Sequence, residues 1–207
     1  TGGDSASASF NTVFLNAAQS DRDYGADGAG STSIGSWALN ISAAADANGL
    51  VDSGLLSAGN TIYLFKDSNG VIKGSTSDTS DGSGVTASNT IFELSVNTSG
   101  SLTLKQFAPL DHGSSGSATD SVLKLAAGKL SLNATASITD SDGDTSSANY
   151  SVDLGDNVRF DDDTPSISSS TAVVDSAVTL VTQDADSTAT GGDSASASFN
   201  TVFLNAA

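Results

Sequence analysis

LSLNATASITDSDGDTSSANYSVDL, residues 130–154, carries the pattern that decides the fold. Leu130, Leu132, Ala134, Ala136 and Ile138 recur at every second position, separated by Ser, Asn and Thr. An extended chain sends alternate side chains to opposite faces, so this pattern predicts a half-buried strand. TDSDGDT at 139–145 interrupts it, and NYSVDL (149–154) and NVRF (157–160) resume it. The flanks of this acidic break therefore read as strands, not helices.

The same reading extends upstream. SASASFNTVFL (5–15) puts Ala6, Ala8, Phe10 and Phe14 on one side and predicts another half-buried strand. SIGSWALNISA (33–43) places Trp37, Leu39 and Ile41 on one face, as core residues rather than a sugar-stacking platform. TIYLF (61–65) is a strand, and Asn69-Gly70 after it is a hairpin turn whose two residues both tolerate positive φ. IFELSV–NTSG–SLTLKQF (91–107) predicts a second hairpin. VLKLAAGK (122–129) fits either a strand or a short helix, and AVTLV (177–181) is an apolar run in the remainder.

Short strands, many turns and no convincing amphipathic helix make the chain all-β, with a sandwich as the simplest closure. The middle, about residues 45–115, reads as part of that sandwich or as a lobe inserted between strands from both ends. A body over 1–163 and a further segment over 164–207 complete the expected organisation.

Only 37% of the residues are hydrophobic and 6% aromatic, a thin core for 207 residues, although the alternation argues against disorder. A formal charge of −17 repels nucleic acid and anionic membranes and attracts cations. Neither nucleic-acid binding nor direct membrane insertion is expected. Of 24 acidic residues only Glu93 is glutamate. Aspartate's short carboxylate suits turns and also reaches a cation held between loops. Bound calcium is the expectation, and a merely solubilising acidic surface is the plain alternative. With no cysteine, disulfides contribute nothing.

TGGDSASASFNTVFLNAA occurs twice, at 1–18 and at 190–207, without a single difference. Eighteen identical residues do not recur by chance, so the chain reads as one period of a tandem array plus the start of the next. The first copy is expected to be a paired strand of the sandwich. The second is expected to find a substitute partner, to stay frayed, or to pair with a neighbouring molecule.

Three acidic groups are candidates for chemistry. Asp140, Asp142 and Asp144 stand at alternate positions around Gly143, so that an extended or loosely turning chain directs three carboxylates at one cation. Hard oxygen donors at this density suit calcium better than zinc or copper. The group is not an EF-hand, because Thr145 and Ser151 stand where that loop needs glycine and glutamate. Asp161, Asp162 and Asp163 in FDDDTP repel one another unless a counter-ion orders them, the alternative being a solvated linker. Asp21, Asp23 and Asp27 form a third group, in which Arg22 offers partial neutralisation. His112 is the sole histidine, so neither a zinc set nor a His-based triad is available. No catalytic constellation emerges, and the chain is not expected to be an enzyme.

YGADGAGS (24–31), IFELSVNTSGSLTLKQF (91–107), LAAGKLSLNATASITDSDGDTSSANYSVDLG (125–155) and FDDDTPSI (160–167) occur in that order. Together they resemble the repeated domains of type I-secreted repeats-in-toxin (RTX) adhesins of Gram-negative bacteria, over roughly residues 5–167. The resemblance implies an immunoglobulin-like antiparallel β-sandwich extender with calcium-stabilised loops, repeated many times in a giant cell-surface adhesin. By position it implies calcium ligands at Asp140, Asp142 and Asp144 in the turn and at Asp161, Asp162 and Asp163 at the exit. The chain departs from the toxin-type pattern in lacking the glycine-rich nonapeptide, so no calcium β-roll is expected.

The function expected on this basis is a spacer, rigidified by calcium outside the cell, that projects distal ligand-binding domains for attachment and biofilm formation. Its partners would be adjacent identical repeats, with a host-surface or glycan ligand bound elsewhere in the full protein. The competing expectation is a module that itself binds carbohydrate or protein.

Overall fold

The computed structural model describes residues 3–112, 122–162, 180–182 and 194–197. The chain divides into two units, Thr1–Thr164 and Pro165–Ala207. The first holds the strands and the α-helix found among the described residues: β1 (Asp4–Ser9), α1 (Asn11–Asp21), β2 (Ala29–Ile41), β3 (Asp52–Ser57), β4 (Asn60–Lys66), β5 (Ile72–Ser75), β6 (Thr90–Val96), β7 (Ser101–Gln106), β8 (Leu123–Lys124), β9 (Leu130–Asp140), β10 (Thr145–Asp153) and β11 (Arg159–Phe160). In the second unit, 180–182 and 194–197 form no regular element. Most of AVTLV, Asp163 and most of the second eighteen-residue copy lie outside the described residues.

The fold is an all-β antiparallel sandwich. One sheet has the order β1-β7-β6-β5-β4-β3 and the other β10-β9-β2, with β8 and β11 as a short pair. The period-two residues of the opening stretch behave as read: Leu130 and Leu132 are fully buried, and Ala134 and Ala136 are nearly so. Leu130, Leu132 and Ala134 share a single core with Ile62, Leu64, Ile72, Phe92 and Leu94 of the larger sheet. Phe160 closes one end, its ring 5.1 Å from that of Phe92. Residues 45–115 supply β3 to β7, five of the six strands of the larger sheet, and their inner faces belong to this same core.

One expectation needs correction. The stretch 5–15 is not one strand: β1 ends at Ser9, and an eleven-residue helix, α1, runs from Asn11 to Asp21. Phe10, Phe14 and Ala18 are the buried residues of this segment. Their spacing of four is two strand periods and also one helical turn, so Phe10 and Phe14 satisfy both templates. Thr12 and Asn16 resolve the ambiguity: a strand would bury them beside Phe10, Phe14 and Ala18, whereas the helix leaves both exposed. Phe14 packs edge-on against Trp37, with centroids 4.9 Å apart. VLKLAAGK, open between strand and short helix, is a two-residue strand followed by a turn.

The hairpins follow a common chemistry. Asp46, Asp67 and Asn97 each open a turn in which the glycine three residues later bonds back to their carbonyl. Each also uses its side-chain oxygen to accept the N–H groups two and four residues ahead. Gly49, Gly70 and Gly100 take the positive φ that closes such a turn. At Asn69-Gly70 only the glycine is left-handed, so the turn is longer than the two-residue form the dipeptide suggests. The β3–β4 hairpin does use the two-residue form: Ala58 and Gly59 both have positive φ. Asp111 covers that turn, accepting the Ala58 and Gly59 N–H groups at 2.8 and 2.7 Å.

Candidate cation site

The acidic break between β9 and β10 is a tight hairpin turn. Asp140 N–H donates to the Asp144 carbonyl at 3.1 Å. The Asp140 carboxylate in turn accepts the N–H groups of Gly143 at 3.0 Å and Asp144 at 2.8 Å. Gly143 sits at φ 103°, a conformation that favours glycine.

A second loop lies against this turn. The chain leaves α1, makes a short 3-10 turn over Gly25–Asp27, and enters β2, which pairs with β9 so that Ala29 stands opposite Asp140. Ser141 joins the two loops: its N–H donates to the Gly28 carbonyl at 3.2 Å and its Oγ to the Asp27 carbonyl at 2.6 Å. The approach is close enough that a Cβ on Gly30 would stand 2.4 Å from the Asp140 carbonyl oxygen. Carboxylate oxygens of Asp27, Asp140 and Asp142 consequently lie within 4.8 Å of one another, Asp140 half-buried and the other two exposed. Asp140 is held below the usual carboxylate range, first by a hydrogen bond with the Asp142 carboxyl and then by the turn's N–H groups, against the opposing effect of burial.

Asp144 takes a different side of the turn. With Asp23, Tyr24 and Asp140 it lines a neighbouring cavity of about 130 Å³. Asp23 is partly committed to its own loop, accepting the Gly25 N–H at 2.9 Å. Asp21 accepts a 3.1 Å hydrogen bond from the Tyr150 hydroxyl. Arg22 lies 5.5 Å over the Tyr24 ring, and the ion pairs among the described residues are all made by lysines. The neutralising role read for Arg22 is therefore replaced by a cation–π contact.

Asp161 and Asp162 are elsewhere. They follow β11, which pairs with β8 ahead of the start of β9, whereas Asp140 ends β9. Eleven extended residues separate the two ends of that strand by about 35 Å. Asp161 lines a cavity of about 170 Å³ with Asp4, Gln106 and Arg159. The fold thus joins the first acidic group to part of the third and keeps Asp161 and Asp162 apart. Sequence reasoning missed the juncture because β2–β9 pairing is long-range. The available signal was the glycine spacing in YGADGAGS, which marks a loop that something approaches closely.

Much of the aspartate content has a second explanation. Asp46, Asp52, Asp67, Asp81, Asp111 and Asp153 all accept backbone N–H groups in turns. Glutamate's longer side chain is a poorer fit for these local bonds. Asp27, Asp140 and Asp142 differ in converging on one point from two loops.

The family model described as Domain of unknown function (DUF5801) matches residues 1–155, a span that includes both loops of the cluster and every strand from β1 to β10. No curated protein and no solved structure matches the chain. No helix among the described residues is long and apolar enough to cross a membrane.

Proposed function

The chain belongs to the DUF5801 family, and from that premise we propose that it is a structural extender module of a large secreted cell-surface adhesin, folded and stiffened by calcium. The observation that carries the calcium reading is the convergence of Asp27, Asp140 and Asp142 from two loops far apart in sequence. Three carboxylates so close repel one another, and a divalent cation converts that repulsion into a clamp between the β9–β10 turn and the entry to β2. Asp27, Asp140 and Asp142 would hold the ion, with Asp23 and Asp144 beside it. Calcium there adds no reaction chemistry. It fastens one end of the smaller sheet, and binding to the folded state alone stabilises that state by mass action.

The spacer role is supported by the eighteen residues repeated without change and by the lack of any catalytic constellation. Secretion fits the same physics: where calcium is scarce the acidic loops disfavour folding, and where it is abundant they favour it. Trp37 argues against a sugar-binding platform, because Phe14 and the β6–β7 turn pack against its ring.

Thermal unfolding followed by Trp37 fluorescence, in millimolar calcium and in chelator, tests the calcium clamp. The midpoint is expected to rise with calcium, and Asp140→Asn combined with Asp142→Asn to abolish the rise. An unchanged midpoint removes calcium from the account. A glycan array probed with the chain tests the spacer reading, which specific binding would replace with a lectin-like role.

A further inference from the structure

β1 and α1 are held in place by backbone pairing and a few buried side chains. All six residues of β1 are exposed, and it is held at the edge of the larger sheet by its backbone pairing with β7. The side-chain contribution is small: Ser7 Oγ meets Thr103 Oγ1 at 2.9 Å. Under the strand, Ala6 and Ala8 leave a cavity of about 270 Å³ against Leu94, Leu102 and Leu104, so the packing there is loose. Three side chains anchor the segment by burial, Phe10, Phe14 and Ala18.

The chain carries each of these features a second time. Residues 190–207 repeat 1–18 without change, so that Ser196, Phe199, Phe203 and Ala207 correspond to Ser7, Phe10, Phe14 and Ala18. Over these eighteen residues, a slot that recognises backbone, one hydroxyl and three apolar side chains has no means of telling the two copies apart. We infer that the β7 edge and the groove beside Trp37 accept residues 190–207 in exchange for residues 1–18. The exchange keeps the contacts of residues 1–18 and gives up those of Gln19–Asp21, the Tyr150 hydroxyl bond to Asp21 among them, which leaves it close to the low-cost situation that underlies domain swapping. What favours the first copy is that bond together with its shorter tether, and closure entropy grows only logarithmically with length, so the combined advantage is about tenfold. The inference is independent of calcium and of the spacer reading.

The absence of cysteine makes the test direct in the full-length chain. Thr103→Cys is paired in separate chains with Ser7→Cys, with Ser196→Cys, or with Ser187→Cys, which lies outside the repeat. Each is equilibrated in a glutathione buffer and run on a non-reducing gel. The 7–103 pair sets the full yield. The 103–196 pair is expected to reach about a tenth of it or more, whether as a single chain or as linked chains, while 103–187 stays at the background of random collision. Adding Phe203→Ala is expected to lower the 103–196 yield at least tenfold and to leave 7–103 unchanged. A 103–196 yield no higher than that of 103–187, or one indifferent to Phe203→Ala, overturns the inference.

Discussion

Ser141 Oγ donates a 2.6 Å hydrogen bond to the backbone carbonyl of Asp27, joining residues 114 apart in the chain. This contact holds the loop before β2 against the β9–β10 turn and sets the spacing of the three carboxylates around it. Ser141→Ala removes the bond and leaves the carboxylates in place. It is expected to cost about 1 kcal/mol of stability. It should also weaken calcium's effect on the unfolding midpoint, measured by differential scanning calorimetry with and without the ion.

Acid should loosen this end of the sandwich. The folded state holds the Asp140 carboxyl below its ordinary value, chiefly through Asp142 and then through the turn's N–H groups. A depressed folded value means that the unfolded chain binds the proton first, so the contribution is complete above the unfolded pKa of about 3.9 and is lost as pH falls through the folded value. Asp46, lowered mainly by the Leu50 N–H, acts in the same direction. Urea midpoints between pH 6 and pH 2 in chelator should fall at the acid end, and Asp140→Asn should flatten that fall.

Ala58 is left-handed, with φ 48°, at the first position of a two-residue turn. An alanine there carries a cost of about 1–2 kcal/mol that asparagine or glycine largely avoids. Ala58→Asn is therefore expected to stabilise by about 1 kcal/mol, read from chemical denaturation. Asp111→Ala removes the carboxylate that accepts both turn N–H groups and should destabilise by about 1–2 kcal/mol.

Gly100 serves two needs at once. Its φ is 76°, and a Cβ there would come within 2.4 Å of the Trp37 ring. Gly100→Ala should therefore destabilise by about 2–4 kcal/mol, combining backbone strain with overpacking. Trp37 is the only tryptophan, so its emission should shift red as the ring is displaced.

Phe14→Ala should cost about 3 kcal/mol, because it empties a buried site and strips the edge contact from Trp37. Since β1 buries nothing, the same change should release β1 with the helix. Faster amide exchange in β1 than in β6 or β9 would show it.

The strands of the core were legible wherever a single period fitted. Leu130 to Ile138 admitted no helical reading, and Asn97 to Gly100 advertised its turn through local chemistry. Phe10 and Phe14 were not legible, because a spacing of four belongs to both periods and only the exposure of Thr12 and Asn16 in the fold decides between them. The candidate site was half legible: the density of aspartate in TDSDGDT marked an acidic turn, but its partner Asp27 came from a loop read as a separate, weaker group.

The sequence by itself determined the alternation, the turn positions and the acidic character, because each depends on residues within a few positions of one another. It also determined that the chain holds two identical copies of one segment. Tertiary structure alone decided that 11–21 is a helix, that Asp140 and Asp142 meet Asp27 while Asp161 stands at the far end of β9, and that Asp111 covers a turn more than fifty residues away. Those outcomes depend on long-range strand pairing, above all Ala29 against Asp140, and no local pattern encodes the register in which two distant strands meet.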